Sequence, residues 1–387
     1  MDFGFSEEQE LLRQSAREFL ESECPVSYAR KMMDDERGYS PEVWEKMAEL
    51  GWLGLIFPEE FGGSGLTMID LAVVLEEMGR VVLPGPYFPT VLFGGMTLLL
   101  GGSEEQTKRC LPEICSGRHK ATLAWLEENG RWDAEGIQMS AAHDGTHYVL
   151  DGTKLFVHDA HNADWMVVAV RTRQDSQDSG ITLLLVESSS PGLTCRVMKT
   201  MDQTRKLCEV RFDQVRVPNG NVIGPVDQGW RLLERVIDRA KVGLCAEMCG
   251  GMDRVLQMSV DYAKVREQFG RPIGSFQAIQ HKCANMLVQV ESSKSATYYA
   301  AWAVTHDVPE AHLAACMAKA YCSDAYRIVS GEGIQIHGGI GFTWEHDMHL
   351  YFKRAKGSEV TFGDATWNRE LVAQEILDKP DFLETAI

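Results

Sequence analysis

Several things are missing from this sequence, and each absence narrows what it does. No apolar run has the length of a membrane span; the stretch at residues 91–100 is short and broken by glycine. The start, Met1-Asp2-Phe3-Gly4-Phe5-Ser6-Glu7-Glu8, has no basic region and no apolar core, so it does not read as a secretory leader. The ten cysteines include no C-x-x-C pair and no Cys/His zinc spacing. Cys245 and Cys249, one helical turn apart, read as small core residues rather than metal ligands, and no metal is expected. These features together point to a reduced protein of the cytoplasm. Basic charge is scarce: 38 Lys and Arg stand against 56 Asp and Glu, a net charge of −18. Such a chain repels polyanions, which argues against nucleic acid as a partner, and membrane association is not expected either. There is no internal repeat and no low-complexity tract.

What is present divides into three regions. At 387 residues the chain exceeds one small core, and its 44% hydrophobic content is ordinary for a globular protein. Residues 1–120 read as helices. Leu11, Leu12, Ala16, Phe19 and Leu20 fall at helical spacing behind a Ser6 N-cap, and Pro41 after Ser40 suits the first turn of another helix. A Gly62-Gly63-Ser64-Gly65 loop precedes a helical stretch at 68–79. Residues 121–228 alternate in short runs: Tyr148-Val149-Leu150, a turn at Asp151-Gly152, Leu155-Phe156-Val157, then runs at 165–170, 181–186 and 211–218. This is a middle β domain. Residues 229–387 return to helical segments of about 30 residues, broken at 270–274 and 338–341, as in a helical bundle.

Five motifs make this order specific. They are Arg266-Glu267-Gln268-Phe269-Gly270-Arg271-Pro272-Ile273-Gly274 with Phe276-Gln277-Ala278 and Gln280; Gln335-Ile336-His337-Gly338-Gly339-Ile340-Gly341-Phe342-Thr343; Gly62-Gly63-Ser64-Gly65; Asp151-Gly152-Thr153-Lys154; and Val215-Arg216-Val217-Pro218. In order and spacing they resemble the acyl-CoA dehydrogenase family over nearly the whole chain. The resemblance implies an α+β fold: an N-terminal all-α domain, a middle β-barrel domain and a C-terminal four-helix bundle that mediates tetramer formation as a dimer of dimers. It implies FAD between the β domain of one subunit and the bundle of another. Arg266, Phe269, Phe276, Gln277, Gln335, Gly338 and Gly339 are the positions that would hold the ADP half of the neighbour's FAD. The chemistry is apt, since a guanidinium suits a pyrophosphate and glycine lets main chain approach a ligand. Read in isolation, Arg266 is equally a solvated charge and Gly338-Gly339 a helix stop.

The reaction implied by the resemblance is oxidation of an acyl-CoA to its α,β-unsaturated form. A carboxylate takes the α-proton, a hydride passes to flavin N5, and electrons leave through an electron-transfer flavoprotein. Most members carry the base as Glu in a Glu-Gly-Thr segment near the C-terminus. Here, counting from Ala355-Lys356, Phe362 stands at that place, with Asp364 and Thr366 following on the flavin side. Phe accepts no proton, though its backbone N–H can still donate to the thioester oxygen. Three carboxylates are candidates to replace the base: Asp364, Glu359 and Glu247. Isovaleryl-type members carry their base on the first bundle helix, at the position of Ala240. Glu247 lies seven residues further on, nearly two turns and on almost the same face. It sits within Leu244-Cys245-Ala246-Glu247-Met248-Cys249-Gly250-Gly251, where an acid is costly unless paired or functional. A tuned base, a buried ion pair and a solvated face are the three readings.

The flavin side departs too. Leu126-Glu127-Glu128-Asn129-Gly130-Arg131-Trp132-Asp133 replaces the family's Thr-Glu-x-x-x-Gly-Ser-Asp, and Phe156-Val157-His158 replaces its Trp-x-Thr. His158 then stands where a hydroxyl usually meets flavin N5, and a polar loop residue is the alternative. The pattern is similar to one chain of the heteromeric acyl-CoA dehydrogenases. Two functions are therefore expected in competition: an acyl-CoA dehydrogenase with Glu247 as base, or a non-catalytic partner subunit that completes a sister chain's FAD site.

Overall fold

The computed structural model describes residues 4–173 and 178–377. In chain order these form α1 (Glu7–Glu23), α2 (Val26–Asp34), α3 (Pro41–Glu49), α4 (Met68–Arg80), α5 (Met96–Gly101), α6 (Glu104–Cys115), β1 (Ala121–Ala124), β2 (Ala141–His143), β3 (His147–His158), β4 (Trp165–Arg171), β5 (Ile181–Glu187), β6 (Leu193–Val197), β7 (Leu207–Pro218), β8 (Val222–Ile223), α7 (Gly229–Val265), β9 (Glu267–Gln268), β10 (Arg271–Pro272), α8 (Gln277–Thr305), α9 (Ala311–His337), α10 (Met348–Val360) and α11 (Ala365–Leu377). The order is helical, then β, then helical, an α+β fold. By packing the chain forms two compact units. One comprises residues 1–30, 68–83 and 241–387; the other comprises 31–67 and 84–240.

The first unit gathers α1 and α4 with the long helices. α1 starts where the sequence says it should: Ser6 Oγ accepts from the Gln9 N–H at 3.2 Å, and the Gln9 side chain accepts from the Ser6 N–H at 3.1 Å. α4 is buried almost all round from Asp70 to Gly79, so its contacts must be close. The closest is with α7. A Cβ on Gly250 would lie 1.7 Å from the Glu76 carbonyl oxygen, and a Cβ on Gly79 would lie 2.0 Å from the Glu247 carbonyl oxygen. Main chain rests directly on main chain at this crossing.

Charges fill the seam around that contact. Glu77, 1% exposed, takes a two-pronged bond from Arg17 at 2.9 and 2.7 Å and lies 3.5 Å from Arg80. Arg80 also pairs with Asp253, and Lys294 reaches Asp253 at 3.1 Å and Glu76 at 3.3 Å. The Tyr298 hydroxyl donates to Glu76 at 2.5 Å. Buried carboxylates require this many partners, because an unpaired buried charge costs several kcal/mol, about 3–5 when one partner is removed.

The second unit is built on two four-stranded sheets, β1-β4-β5-β8 and β2-β3-β7-β6. Met166, Val168, Val170, Leu184 and Val186 from the first meet Leu150, Val157, Cys208, Val210, Phe212, Val215 and Val217 from the second in one apolar core. The expected turn at Asp151-Gly152 is not a turn. β3 runs unbroken through it as a bulge, with Gly152 at φ 147° and the register to β7 shifting between Leu150 and Gly152. A bulge uses the same glycine signal as a turn but lets the strand continue. A second shift lies between Lys154 and Val157.

Two glycine substitutions separate crowding from propensity. Gly250→Ala has no room and should lower the stability of the chain by about 3 kcal/mol. Gly331→Ala, mid-helix in α9 with nothing within 4 Å of the new Cβ, should raise it by about 1 kcal/mol. Chemical denaturation of both variants, giving opposite signs, checks the contact.

Candidate active site

The first motif forms a hairpin at the end of α7. β9 and β10 pair antiparallel, and Phe269 and Gly270 turn the corner with φ of 54° and 74°. Positive φ at both central positions is what a two-residue hairpin turn demands, and Asn, Asp or Gly is the usual first residue. A phenylalanine there is strained, at about 1–3 kcal/mol, and its side chain is 93% exposed. The ring therefore gains almost nothing from this chain's own core. Phe276 meets it edge-on at 6.1 Å, and the Arg271 guanidinium lies 4.1 Å over the Phe276 ring. Arg266 and Gln277 are exposed beside them.

The second motif closes α9. Gly338 has φ 62° and Gln335, Gly338 and Gly339 are all exposed. A side chain on Gly339 would meet nothing within 4 Å, and its φ is not positive. Nothing inside the described chain requires glycine there; close approach of another molecule would. The two motifs are joined physically. Tyr262, one turn before Arg266, stacks on His337 at 4.5 Å and 23°. The His337 ring nitrogen Nδ1 lies 2.7 Å from the Gly333 carbonyl, and burial holds its pKa below the ordinary 6.5. Next to Gln335 opens a groove of about 440 Å³ lined by Lys282, Arg327, Ile328, Gly331 and Glu332, where Lys282 and Glu332 pair. A guanidinium, two carboxamides, an exposed ring and bare main chain form a donor set that fits the ADP half of FAD.

The turn between α10 and α11 carries Phe362, Asp364 and Thr366. Phe362 is 2% exposed and left-handed at φ 63°, followed by Gly363 at φ 81°. Asp364 is exposed, and its Oδ1 accepts from the Trp367 N–H at 2.8 Å, capping α11. Thr366 is exposed on the first turn of α11. Sequence reasoning missed what holds this turn. Lys319 of α9, fully buried, donates to Ser323 Oγ at 2.7 Å, the Glu359 carbonyl at 3.0 Å and the Gly363 carbonyl at 2.9 Å. Asn368, also fully buried, places Nδ2 at 3.1 Å from the carbonyls of Phe362 and Gly363 and 2.9 Å from that of Asp364. The signal for Lys319 was present: a lysine inside Ala314-Ala315-Cys316-Met317-Ala318-Lys319-Ala320 is out of place on an apolar face.

The three candidate carboxylates part company here. Glu359 is engaged by Lys356 at 2.5 Å and Arg327 at 3.4 Å. Asp364 is the helix cap. Glu247 is 8% exposed, on the inner face of α7 between Ala246 and Met248, with its main chain against Gly79. That burial removes the solvated-face reading. Glu247 has polar partners within the structure.

Phe156 and His158 belong to the second unit and are described there. Phe156 sits in the second bulge of β3 at φ 54° and is 42% exposed. His158 is buried, edge-on to Phe93 at 5.4 Å, and its carbonyl accepts from Thr122 Oγ1 at 2.7 Å. Lys154, fully buried, donates to Glu127 at 2.6 Å and to the Trp125 carbonyl at 3.3 Å. Glu127 in turn accepts the N–H groups of Gln138 and Met139. The Asp-Gly-Thr-Lys motif thus ties β3 to the segment that departs from the family pattern.

Comparison with known proteins agrees over the length of the chain. Family models for the acyl-CoA dehydrogenase N-terminal, middle and C-terminal domains match residues 6–118, 122–215 and 227–377. The acyl-CoA dehydrogenase IpdE2 of Mycolicibacterium smegmatis is 34% identical over 92% of this chain and 95% of its own. The butyryl-CoA dehydrogenase structure from Megasphaera elsdenii superposes with a TM-score of 0.91 at 27% identity, covering 97% of this chain and all of that one. The ChsE4-ChsE5 complex from Mycobacterium tuberculosis gives 0.88 at 27%, covering 97% and 99%.

The buried lysines set a pH dependence. Burial lowers the pKa of Lys154 and of Lys319 from 10.5 to about 8, with Glu127 opposing the shift at Lys154. Between about pH 8 and 10.5 the unfolded chain keeps a proton that the folded chain has released, so each lysine makes the fold gain stability as pH rises. Denaturation of the parent and Lys154→Met across this window should show the difference moving in the parent's favour, by about 3 kcal/mol at most.

Proposed function

The chain belongs to the acyl-CoA dehydrogenase family of FAD-dependent oxidoreductases, and from that premise we propose that it introduces an α,β double bond into an acyl-CoA thioester with Glu247 as its base. One observation carries this reading. Of the three carboxylates that were candidates for the missing family base, Glu247 is the buried one, 8% exposed on α7, whereas Glu359 is half-buried and Asp364 is exposed. Glu247 accepts the α-proton of the substrate. Bound FAD supplies the acceptor for the β-hydride. Phe362 contributes apolar surface and main chain at the reaction site and takes no proton. Arg266, Phe269, Phe276, Gln277, Gln335, Gly338 and Gly339 hold the ADP half of the cofactor. Phe156, His158, Asp364 and Thr366 stand on the flavin side. An electron-transfer flavoprotein is the acceptor, the assembly is a tetramer, and the compartment is the cytoplasm.

A second reading is favoured by a specific pair of observations. The family's usual base position holds Phe362, and the chain is similar to the ChsE4-ChsE5 complex. In that reading this chain is a non-catalytic subunit whose hairpin and Gly-Gly loop complete a sister chain's FAD site.

The visible spectrum of the chain purified alone, with and without a panel of acyl-CoAs, decides between them. Flavin bands that bleach with substrate support the dehydrogenase; a colourless chain that gains flavin only on co-expression with a sister supports the partner subunit. Glu247→Gln should keep its flavin and lose turnover by about 10²–10⁴-fold, and a fully active variant would overturn Glu247 as base. Arg266→Ala should lose flavin on purification without losing its fold, as read by absorbance and circular dichroism.

A further inference from the structure

A fully buried lysine needs a reason. Taking an ammonium out of water costs several kcal/mol, and an apolar side chain of the same volume would pack α9 without that cost. Lys319 is 0% exposed. Its three acceptors show where the return lies. Glu359 stands in the last turn of α10, where carbonyls lack helical partners and carry the negative end of the helix dipole. Gly363 is the second of two consecutive left-handed residues in the turn that follows. Asn368 covers the carbonyls of Phe362, Gly363 and Asp364, and the Thr361 hydroxyl donates to the Gly357 carbonyl at 2.9 Å. Lys319 spans from the end of α10 to Gly363.

The turn would not keep its shape unaided. Phe362 has a bulky side chain in the left-handed region, a strained conformation. Gly363 admits no side chain, since a Cβ there would lie 2.2 Å from the Trp367 ring. Two buried donors, each making several bonds, offset that strain.

We propose that Lys319 is a positioning residue: its buried ammonium, bridging the carbonyls of Glu359 and Gly363, fixes the left-handed turn that sets Phe362 at the reaction site. The inference rests on the functional reading above for its consequence, but not for its geometry. A shift of about 1 Å in a positioning element is enough to lower a rate about 10²-fold. The chemical step should therefore suffer more than ligand affinity.

The test uses the full-length chain with its cofactor and three variants, Lys319→Met, Asn368→Ala and Lys294→Met. Hydrogen exchange by mass spectrometry should show faster exchange confined to peptides covering residues 357–368 in Lys319→Met and Asn368→Ala. Rapid mixing with acyl-CoA should show flavin bleaching slowed about 10–100-fold in both, with the dissociation constant of the enoyl-CoA product within about 3-fold of the parent. Lys294→Met, which removes a cation of the α4–α7 seam, should lower stability and leave both readouts at parent values. Unchanged exchange across 357–368 in Lys319→Met overturns the proposal, and so does a parent-like bleaching rate. If Lys319→Met does not fold, Asn368→Ala decides by the same two readouts. If the parent itself fails to bleach with any acyl-CoA, the functional reading fails, while the exchange measurement still judges the pin.

Discussion

The first unit is organised by two helices that pass with no side chain between them. Gly79 and Gly250 let the carbonyls of Glu247 and Glu76 rest against the opposite helix. This contact sets the spacing of everything attached to α4 and α7. It brings Glu76 and Glu77 of α4 within bonding distance of cations from α1 and α8 and of α4's own Arg80. It also keeps Glu247 on the buried side of α7. A side chain at position 79 would push away the main chain of the helix that bears Glu247. Position 250, in the run that follows Glu247, is glycine for this reason.

Three strained phenylalanines fall where the family resemblance puts function. Eight non-glycine residues have positive φ among the described residues, and three of them are Phe156, Phe269 and Phe362. Phenylalanine is a poor choice for the left-handed region, so each instance requires something that over-determines the backbone. The devices differ. Phe156 is turned out by a strand bulge, Phe269 by a hairpin corner, and Phe362 by buried donors from two helices. The first two rings are presented outward and the third is enclosed. An outward ring held at a cost is suited to a ligand that the chain does not itself contain.

Much of this was legible from residues alone. The Ser6 cap, Pro41 at a helix start and the hydrophobic period gave the helices; the alternating runs gave the strands; and the motifs gave the fold. Gly152 misled because a bulge and a turn ask the same of a glycine. The supports of the site were harder to see. Lys319 and Lys154 act through carbonyl and carboxylate partners that are 40 and 27 residues away. Sequence spacing says nothing about such pairs until the helices and strands are packed. Glu359 and Glu247 look alike as single letters, and only packing shows that Glu247 is buried while Glu359 is half-buried beside Lys356 and Arg327.

The distribution of departures bears on the choice between enzyme and partner subunit. The residues proposed for the ADP side are required by either reading, so they cannot discriminate. The α10–α11 turn can. A subunit with no reaction to support would have no use for a strained phenylalanine held by two buried polar side chains, and relaxing that turn would gain stability. The turn carries a phenylalanine where the resemblance implies a carboxylate, and it has an expensive geometry. In the same unit, α7 carries Glu247, an acid only 8% exposed. Phe362 where the resemblance implies a base, a strained turn held by buried donors, and a buried carboxylate on α7 are three features that the proposed relocation of the proton acceptor would account for together.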